Sequence, residues 1–443
     1  MSLQWSWQAP LDLPVAAVTP LVANLTDDNG DGSIDLCDTP DVVVIAGKTF
    51  HEPGRVFILD GASGVQEREF ATEVTSTTTP VIGDLDDDGV PEIITALPTR
   101  ELIAFEPDGS VRWISPRATF VPYASALVVT DLWGDGRHEI LAGATVLDAD
   151  GGILWSHPER ETWGMIPVAA DLDGDGVQEV VLGATAYHAD GTLFYENAEL
   201  AAITSVYGSN FAHVADLGDG HPSIVLVSSA GIAILDASGT LVRTLVADPS
   251  KSLAGGPIAI ADLGSGHNHE LIVSSTDRVG ADSRLRAFSK AGEISWDVPA
   301  HDGSCCAGAV AFDLDGDGRD EIIYNDQLHL IVLDANGTVL ATADRVSQTM
   351  TETPVVADVD NDGAAEIVVV SSAPDPAIST MNVPTVQVFR DTADDWAPTR
   401  RLWNQNAYIP TAVREDATVP LHAPLAEVVR ANTSSPACGT ITR

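Results

Sequence analysis

The stretch DLDGDGVQEVVLG (171–183) packs three aspartates and a glutamate into nine positions and then turns apolar. The same pattern returns as DLDDDGVPEIITA (84–96), DLDGDGRDEIIYN (313–325) and DVDNDGAAEIVVV (358–370). Weaker versions are DLWGDGRHEILAG (131–143), DLGDGHPSIVLVS (216–228) and DLGSGHNHELIVS (262–274). From Asp84 onward the leading aspartates are 47, 40, 45, 46, 51 and 45 residues apart. A longer form, NLTDDNGDGSIDLCDTPDVVV (24–44), precedes them. Self-similarity at this period marks a repeat architecture.

Each unit carries four short apolar runs. One enters the acidic loop, as in TPVIGDL (79–85), and one leaves it, as in PEIITAL (91–97). Two more flank a turn, as in LIAFEPDGSVRWI (102–114) and TVLDADGGILWS (145–156). The Asp-Gly, Ser-Gly and Asn-Gly pairs suit hairpin turns, because glycine tolerates positive φ. The runs are rich in β-branched residues and too short for helices. Four antiparallel strands per unit of this length predict an all-β, eight-bladed β-propeller, or seven blades if the divergent first unit is not a full blade. The propeller is expected over 1–405, with 406–443 as a C-terminal tail packed on it. The N-terminal LQWSWQ (3–8) reads as an outer strand with nothing before it, and is expected to close the ring by pairing into the last blade. Trp113, Trp155 and Trp296 follow hairpin turns and are expected to pack between blades.

The loop D-x-D-x-D-G-x-x-E places oxygens at positions 1, 3, 5 and 9, with a backbone carbonyl at 7 and a turn-forming glycine at 6. Carboxylates converging this way repel one another without a cation, and oxygen-only donors select a hard one, Ca²⁺. The full sets are Asp84, Asp86, Asp88, Glu92; Asp171, Asp173, Asp175, Glu179; Asp313, Asp315, Asp317, Glu321; and Asp358, Asp360, Asp362, Glu366. A fifth site is expected in the long first loop, from Asp27, Asn29, Asp31, Asp35 and Asp38. The third unit keeps only Asp131, Asp135 and Glu139, and the fifth and sixth units are expected to be empty. The histidines of those two loops (His221, His267, His269) read as loop polarity rather than metal ligands.

Composition narrows the partners. With 65 Asp+Glu against 22 Lys+Arg, the formal net charge is −43, so binding to a nucleic-acid backbone or an anionic bilayer is disfavoured. No apolar run approaches the length of a membrane-spanning helix, so no membrane insertion is expected. The start MSLQWSWQAP shows no secretory signal, and a mature or trimmed chain would read the same way.

These D-x-D-x-D-G loops inside blade-length units resemble the FG-GAP or VCBS repeats of integrin-α-like β-propellers, over roughly residues 15–405. The segment WAPTRRLWNQNAYIPTAVREDATVP (396–420) is similar to one that ends such repeats in large secreted bacterial proteins. The resemblance implies an extracellular, calcium-stiffened module for adhesion or ligand binding. Strand order puts the acidic loops and hairpin turns on one face. On the opposite face, Tyr123, Trp163, Tyr207, Asn210 and His301 gather as candidate contacts to a glycan or protein. Cys305 and Cys306 are adjacent and form either a vicinal disulfide or two thiols, while Cys37 and Cys438 are candidates to bridge the first blade to the tail.

Enzyme motifs are missing: there is no G-x-S-x-G, H-E-x-x-H, P-loop or dinucleotide fingerprint. A non-catalytic binding module is the leading expectation. A polysaccharide lyase on a calcium-bearing propeller is the alternative. A self-assembling surface protein, exchanging its N-terminal strand between subunits, is the third reading.

Overall fold

The structure, a computed structural model, describes the 443-residue chain except residues 119, 162–163, 202–210, 229–230, 246–253, 265–268, 277–282, 304–306, 373–378, 407, 409–411 and 422–443. Eight sheets, seven with four consecutive antiparallel strands at their centre and the eighth completed by the N-terminal strand, form a ring of blades. Blade 2 is typical: Val81–Gly83, Glu92–Ala96, Leu102–Phe105 and Val111–Ile114 run from the inside outward. Helix is confined to the short Pro158–Arg160 and Ala198–Ala201 turns among the described residues. None is long and apolar enough to cross a membrane.

Burial follows strand position. The three inner strands of blade 2 are wholly buried, whereas its outer strand, Val111–Ile114, is half-exposed. Strands flanked on both faces by neighbouring blades read as continuous apolar runs rather than alternating ones, because neither face meets water. First strands of adjacent blades touch near the axis, Leu21–Ala23 against Val81–Gly83 and Ala309–Phe312 against Val355–Ala357. Small residues permit this approach: a Cβ on Gly83 would lie 3.1 Å from Val129.

The seams between blades repeat one device. A bulky side chain on an outer strand lies over the hairpin glycine of the next blade, and where it is Trp the indole N–H donates to a carbonyl there. Trp113 covers Gly151 and donates to the Ala149 carbonyl at 2.8 Å. Trp155 covers Gly191 and Trp296 covers Gly337, donating to the carbonyls of Ala189 and Ala335. Phe70 on Gly109, Tyr195 on Gly239 and Leu245 on Gly292 do the same without that bond. Gly239 shows why the turn residue is glycine: its φ is +77°, and a Cβ would lie 2.1 Å from the Tyr195 ring. Gly239→Ala is expected to destabilise the protein by about 2–4 kcal/mol in urea denaturation, from clash plus left-handed strain. Gly220, at φ +76° with nothing within 4 Å of a Cβ, supplies the control. Its alanine variant should lose only about 1 kcal/mol, the strain alone.

The eighth seam uses the N-terminus. Ser2–Trp7 pairs antiparallel with Val386–Arg390 of the same chain and forms the outer strand of blade 8. Trp5 then covers Gly64 of blade 1 and donates to the Gly61 carbonyl at 2.5 Å, the same device once more.

The described residues between 399 and 419 lie against inner strand edges that face no other strand. The amide of Val22 donates to the Trp403 carbonyl at 3.0 Å, and Trp403 donates back to Val22 at 2.8 Å. Ile82 donates to the Asn404 carbonyl at 2.9 Å, and Asp358 to that of Arg400 at 3.0 Å. The Gln405 side chain accepts from the amide of Val129 at 3.2 Å. Inner strands of blades 8, 1, 2 and 3 are therefore satisfied by one irregular segment, which removes their open edges. Residue 405 falls in the middle of it. Leu402, Trp403, Val413 and Ala417 join the largest core cluster.

Candidate functional site

The acidic loops link the first and second strands of each blade and share one face. Their common element is the glutamate that opens the second strand. Glu92, Glu139, Glu179, Glu321 and Glu366 are buried, and one oxygen of each accepts the amide of the residue after the leading aspartate. The leading aspartate accepts the amide of the loop glycine, as Asp84 does from Gly89, Asp171 from Gly176 and Asp358 from Gly363. These bonds aim the remaining carboxylate oxygens into the loop.

Positions 1, 3 and 9 are the ones that converge. Donor oxygens of Asp84, Asp86 and Glu92 lie within 4.8 Å of one another, as do those of Asp171, Asp173 and Glu179, and of Asp313, Asp315 and Glu321. The position-5 residues Asp88, Asp175, Asp317 and Asp362 accept the amide two residues on and so shape the turn. In blade 8, Asp358 Oδ1 and Glu366 Oε1 are buried with no hydrogen-bond partner. Burial pushes Glu366 up to about 9, with Asp360 adding to it, and Asp358 up to about 7. Burial likewise takes Glu92 and Glu139 to about 8 and Glu321 to about 7. Burial is the main cause of these shifts, and the like charges of neighbouring aspartates add to it.

The loops differ in how they are otherwise neutralised. In blade 2 the Arg112 guanidinium reaches Asp86 at 2.5 Å, Glu106 at 3.1 Å and Glu92 at 3.4 Å. In blade 4, His188 Nδ1 is 3.3 Å from Glu179. In blade 8, Gln4 of the N-terminal strand donates to Asp360 at 2.7 Å. In blade 5, Asp216 accepts the amides of Gly218, Asp219 and Gly220.

The first loop is built differently. Asp27 accepts the amides of Gly30, Asp31 and Gly32, and Asp38 accepts those of Asp28, Asn29 and Asp35. Asn29 and Asp31 each cap an amide two residues on, and so does Asp35. The residue that stands where the other blades have glutamate is Asp41: it opens the second strand, accepts the amide of Leu25 at 2.9 Å, and burial pushes it up to about 8. Asp28, Asp60 and Glu67 also converge there. The loop insertion hid Asp41, because it stretches the usual eight-residue offset between position 1 and position 9. The signal that finds it is the strand start, not the D-x-D spacing.

A wide cavity lies on this face. It holds about 850 Å³ between the first loop (Gly32–Leu36), the second (Asp84, Asp87–Pro91) and Arg414–Thr418 of the segment on the inner strand edges. Two basic residues of that segment neutralise its surroundings. Arg400 pairs with Glu415 at 2.8 Å, and Arg401 reaches Asn361 of the blade 8 loop at 2.8 Å and the Leu36 carbonyl of the first.

On the opposite face, Tyr123 stacks on His51 of blade 1, with ring centroids 5.8 Å apart and planes within 5°. His301 leans on the buried Asp326, its Nδ1 3.3 Å from Oδ2. Trp163, Tyr207 and Asn210 lie outside the described residues, as do His267, Cys305, Cys306 and Cys438. Cys37 is disulfide-bonded.

A second cavity on that face holds about 450 Å³ and is lined by Arg100, Arg117, Ala118, Val121, Pro158 and Glu161. It joins the loop between the second and third strands of blade 2 to the connections between blades 2, 3 and 4. Arg100 holds a left-handed φ of +79° at the tip of its loop, costly for a residue with a Cβ. Its carbonyl accepts the amide of Ala118 at 3.1 Å, which ties the two arginine-bearing loops together. Glu161 clips the Ala144 amide at 2.8 Å, and burial pushes its carboxyl up to about 7. Neither arginine was singled out by sequence spacing, because the cavity assembles from three separate connections.

Residues 313–369, which span the acidic loop of blade 7 and that of blade 8, match the FG-GAP-like repeat model. No curated protein matches the chain by sequence. The fold is similar to the Vibrio cholerae biofilm matrix protein Bap1, at a TM-score of 0.78 and 20% identity, with 96% of each chain covered. It is also similar to the exotype rhamnogalacturonan lyase YesX, at a TM-score of 0.56 and 17% identity over 86% of this chain and 75% of that one. A rhamnogalacturonan lyase of Bacillus licheniformis gives a TM-score of 0.52 at 17% identity, with the same coverage. The chain is an eight-bladed β-propeller that carries an FG-GAP-like repeat.

Proposed function

We propose that this protein is an extracellular, calcium-stiffened propeller that binds an acidic glycan without cleaving it, through the face opposite its acidic loops. The observation that carries the ligand class is the Arg100–Arg117 cavity: two guanidinium-bearing side chains line it beside the single carboxylate of Glu161, on a chain where acids outnumber bases almost threefold. Guanidinium forks suit carboxylates, and a cavity of this size suits one or two sugar units. The strained backbone at Arg100 strengthens the reading, because glycine would fit that turn at lower cost. The acidic loops sit at the far ends of the strands, beyond a Debye length of about 8 Å at physiological ionic strength, so they do not cancel this local charge. Calcium would be held by Asp84, Asp86 and Glu92 and the matching trios of blades 4, 7 and 8, where it rigidifies loops and touches no ligand. Similarity in fold to a biofilm matrix protein supports an extracellular role.

The test is Arg100→Gly. Its melting temperature should stay level or rise slightly, since replacing a left-handed arginine relieves about 1 kcal/mol of strain. Binding to uronic-acid polymers, read by glycan array and calorimetry, should fall at least tenfold, as should that of Arg117→Ala. Unchanged binding in both variants would remove the cavity from the assignment. The lyase reading is checked in the same samples: release of unsaturated uronate by the parent protein would establish cleavage.

A further inference from the structure

Away from the acidic loops, one cluster combines imidazole with carboxylate. Asp326 follows the second strand of blade 7, His329 opens the third, and His301 lies in the connection from blade 6. We infer that His301, Asp326 and His329 form a site for a divalent transition metal of the zinc class, on the face opposite the calcium-type loops. This inference does not rest on the glycan reading.

The carboxylate is the fixed element. Asp326 is completely buried, its Oδ1 accepting the amides of Leu328 at 2.8 Å and His329 at 2.7 Å, and its Oδ2 that of His301 at 2.9 Å. Behind it, the buried Arg345 donates to the Asp326 carbonyl at 2.9 Å. The His301 carbonyl accepts the amide of Gln327 at 2.8 Å, so the two segments are joined on both sides of the cluster. Loop geometry therefore sets the carboxylate and brings both rings to it.

The spacing fits a small tetrahedral ion. His301 Nδ1 is 3.3 Å from Asp326 Oδ2, and His329 Nδ1 is 3.7 Å from Oδ1. One donor atom from each residue lies within 4.8 Å of the others. An ion with ligands at about 2.0–2.1 Å in tetrahedral array sets its donors about 3.3 Å apart. Both separations are long for simple hydrogen bonds. They end on different oxygens of Asp326, so coordination through one carboxylate oxygen requires one ring to swing toward it, within a cluster whose donors already converge to 4.8 Å. Two imidazole nitrogens turn the site away from calcium and magnesium, which take oxygen, and toward zinc, cobalt, nickel or copper. The His301 side chain is 62% exposed and that of His329 33%. The fourth position therefore opens to solvent, where water or a donor atom of a bound molecule would complete the shell.

The experiment uses the tag-free full chain, stripped of metal and then saturated with calcium so that the acidic loops are occupied. Cobalt(II) is titrated in, and the visible absorption of four-coordinate cobalt is followed. The expected result is one equivalent per chain, displaced by zinc and not by further calcium. His301→Ala and His329→Ala should each weaken cobalt binding at least about tenfold, with metal-free melting temperatures near that of the parent. Asp313→Asn, in an acidic loop, should leave the signal unchanged. Absence of a four-coordinate spectrum would overturn the assignment, and so would cobalt affinity that survives the double histidine variant.

Discussion

Chelating calcium is expected to lower the melting temperature by roughly 10–15 °C, and adding calcium back should restore it. A ligand at 100 times its dissociation constant contributes about 2.7 kcal/mol per site. About four sites, set against an unfolding entropy of about 2.1 cal/mol/K per residue, give a shift of that size. The pH dependence carries a sign that distinguishes this from nonspecific screening. Glu366 has its carboxyl raised to about 9, Glu92 and Glu139 to about 8, and Glu321 and Asp358 to about 7, each chiefly by burial. Between about pH 4.5, the ordinary glutamate value, and these raised values, the folded chelated protein keeps protons that the unfolded chain has released. Stability therefore falls as pH rises across that window. With calcium bound, these carboxylates other than Glu139 of blade 3 are ionised and paired, so the fall should flatten or reverse. Glu366→Gln sharpens the test. In chelator at pH 8 it should melt higher than the parent, since it removes a buried acid near the aspartates of its loop. In saturating calcium it should melt lower, since it removes a ligand. Melting curves indifferent to calcium in both proteins would sink the metal assignment.

Deleting residues 1–8 is expected to have the other large effect. The deletion strips the outer strand from blade 8 and removes Trp5 and Trp7, both buried, with Trp7 packed against Phe57 at 5.1 Å. Loss of a single buried tryptophan typically costs about 3–5 kcal/mol. It also exposes the edge of Val386–Arg390, a short apolar strand of the kind that recruits another chain. The truncated protein should therefore unfold at a much lower temperature or self-associate, as size-exclusion chromatography would show. A peptide of sequence SLQWSWQ supplied in trans should restore the monomer and part of the lost stability. A truncated protein that stays monomeric with parental stability would show that the ring does not depend on this strand. Trp5→Ala tests the seam alone, because it leaves the backbone pairing to Val386–Arg390 in place.

Much of this molecule is legible along the chain because its chemistry is local and repeats. A blade is four short strands, so its turns recur every 40 to 51 residues and can be counted. The partnership of Trp113 with the next hairpin, around Gly151, is also local, since the two lie one repeat apart. The acidic loops are legible for the same reason: position 1 and position 9 are separated by one tight turn. Where the turn lengthens, as between Asn24 and Asp41, the spacing no longer points to the buried Asp41 that opens the second strand. Positions 3 and 5 share a backbone role, since aspartates at both accept the amide two residues on and so shape the turn.

What only the tertiary structure decides is the assembly of residues far apart in sequence. Nothing in WAPTRRLWNQNAYIP announces that Trp403 pairs with Val22, or that Asn404 pairs with Ile82, partners that lie toward the opposite end of the chain. Those contacts exist because a closed ring leaves inner strand edges with unpaired amides, and some segment must satisfy them. The Arg100–Arg117 cavity and the His301–Asp326–His329 cluster arise in the same way, from connections that meet only when blades stand side by side. Sequence alone determined the blade and its acidic loops and narrowed the number to eight or seven, since period and turn chemistry are short-range properties; the structure gives eight. Ring closure decided which segment covers the inner strand edges and which loops meet on the face opposite the acidic loops, since those are consequences of geometry that no single repeat contains.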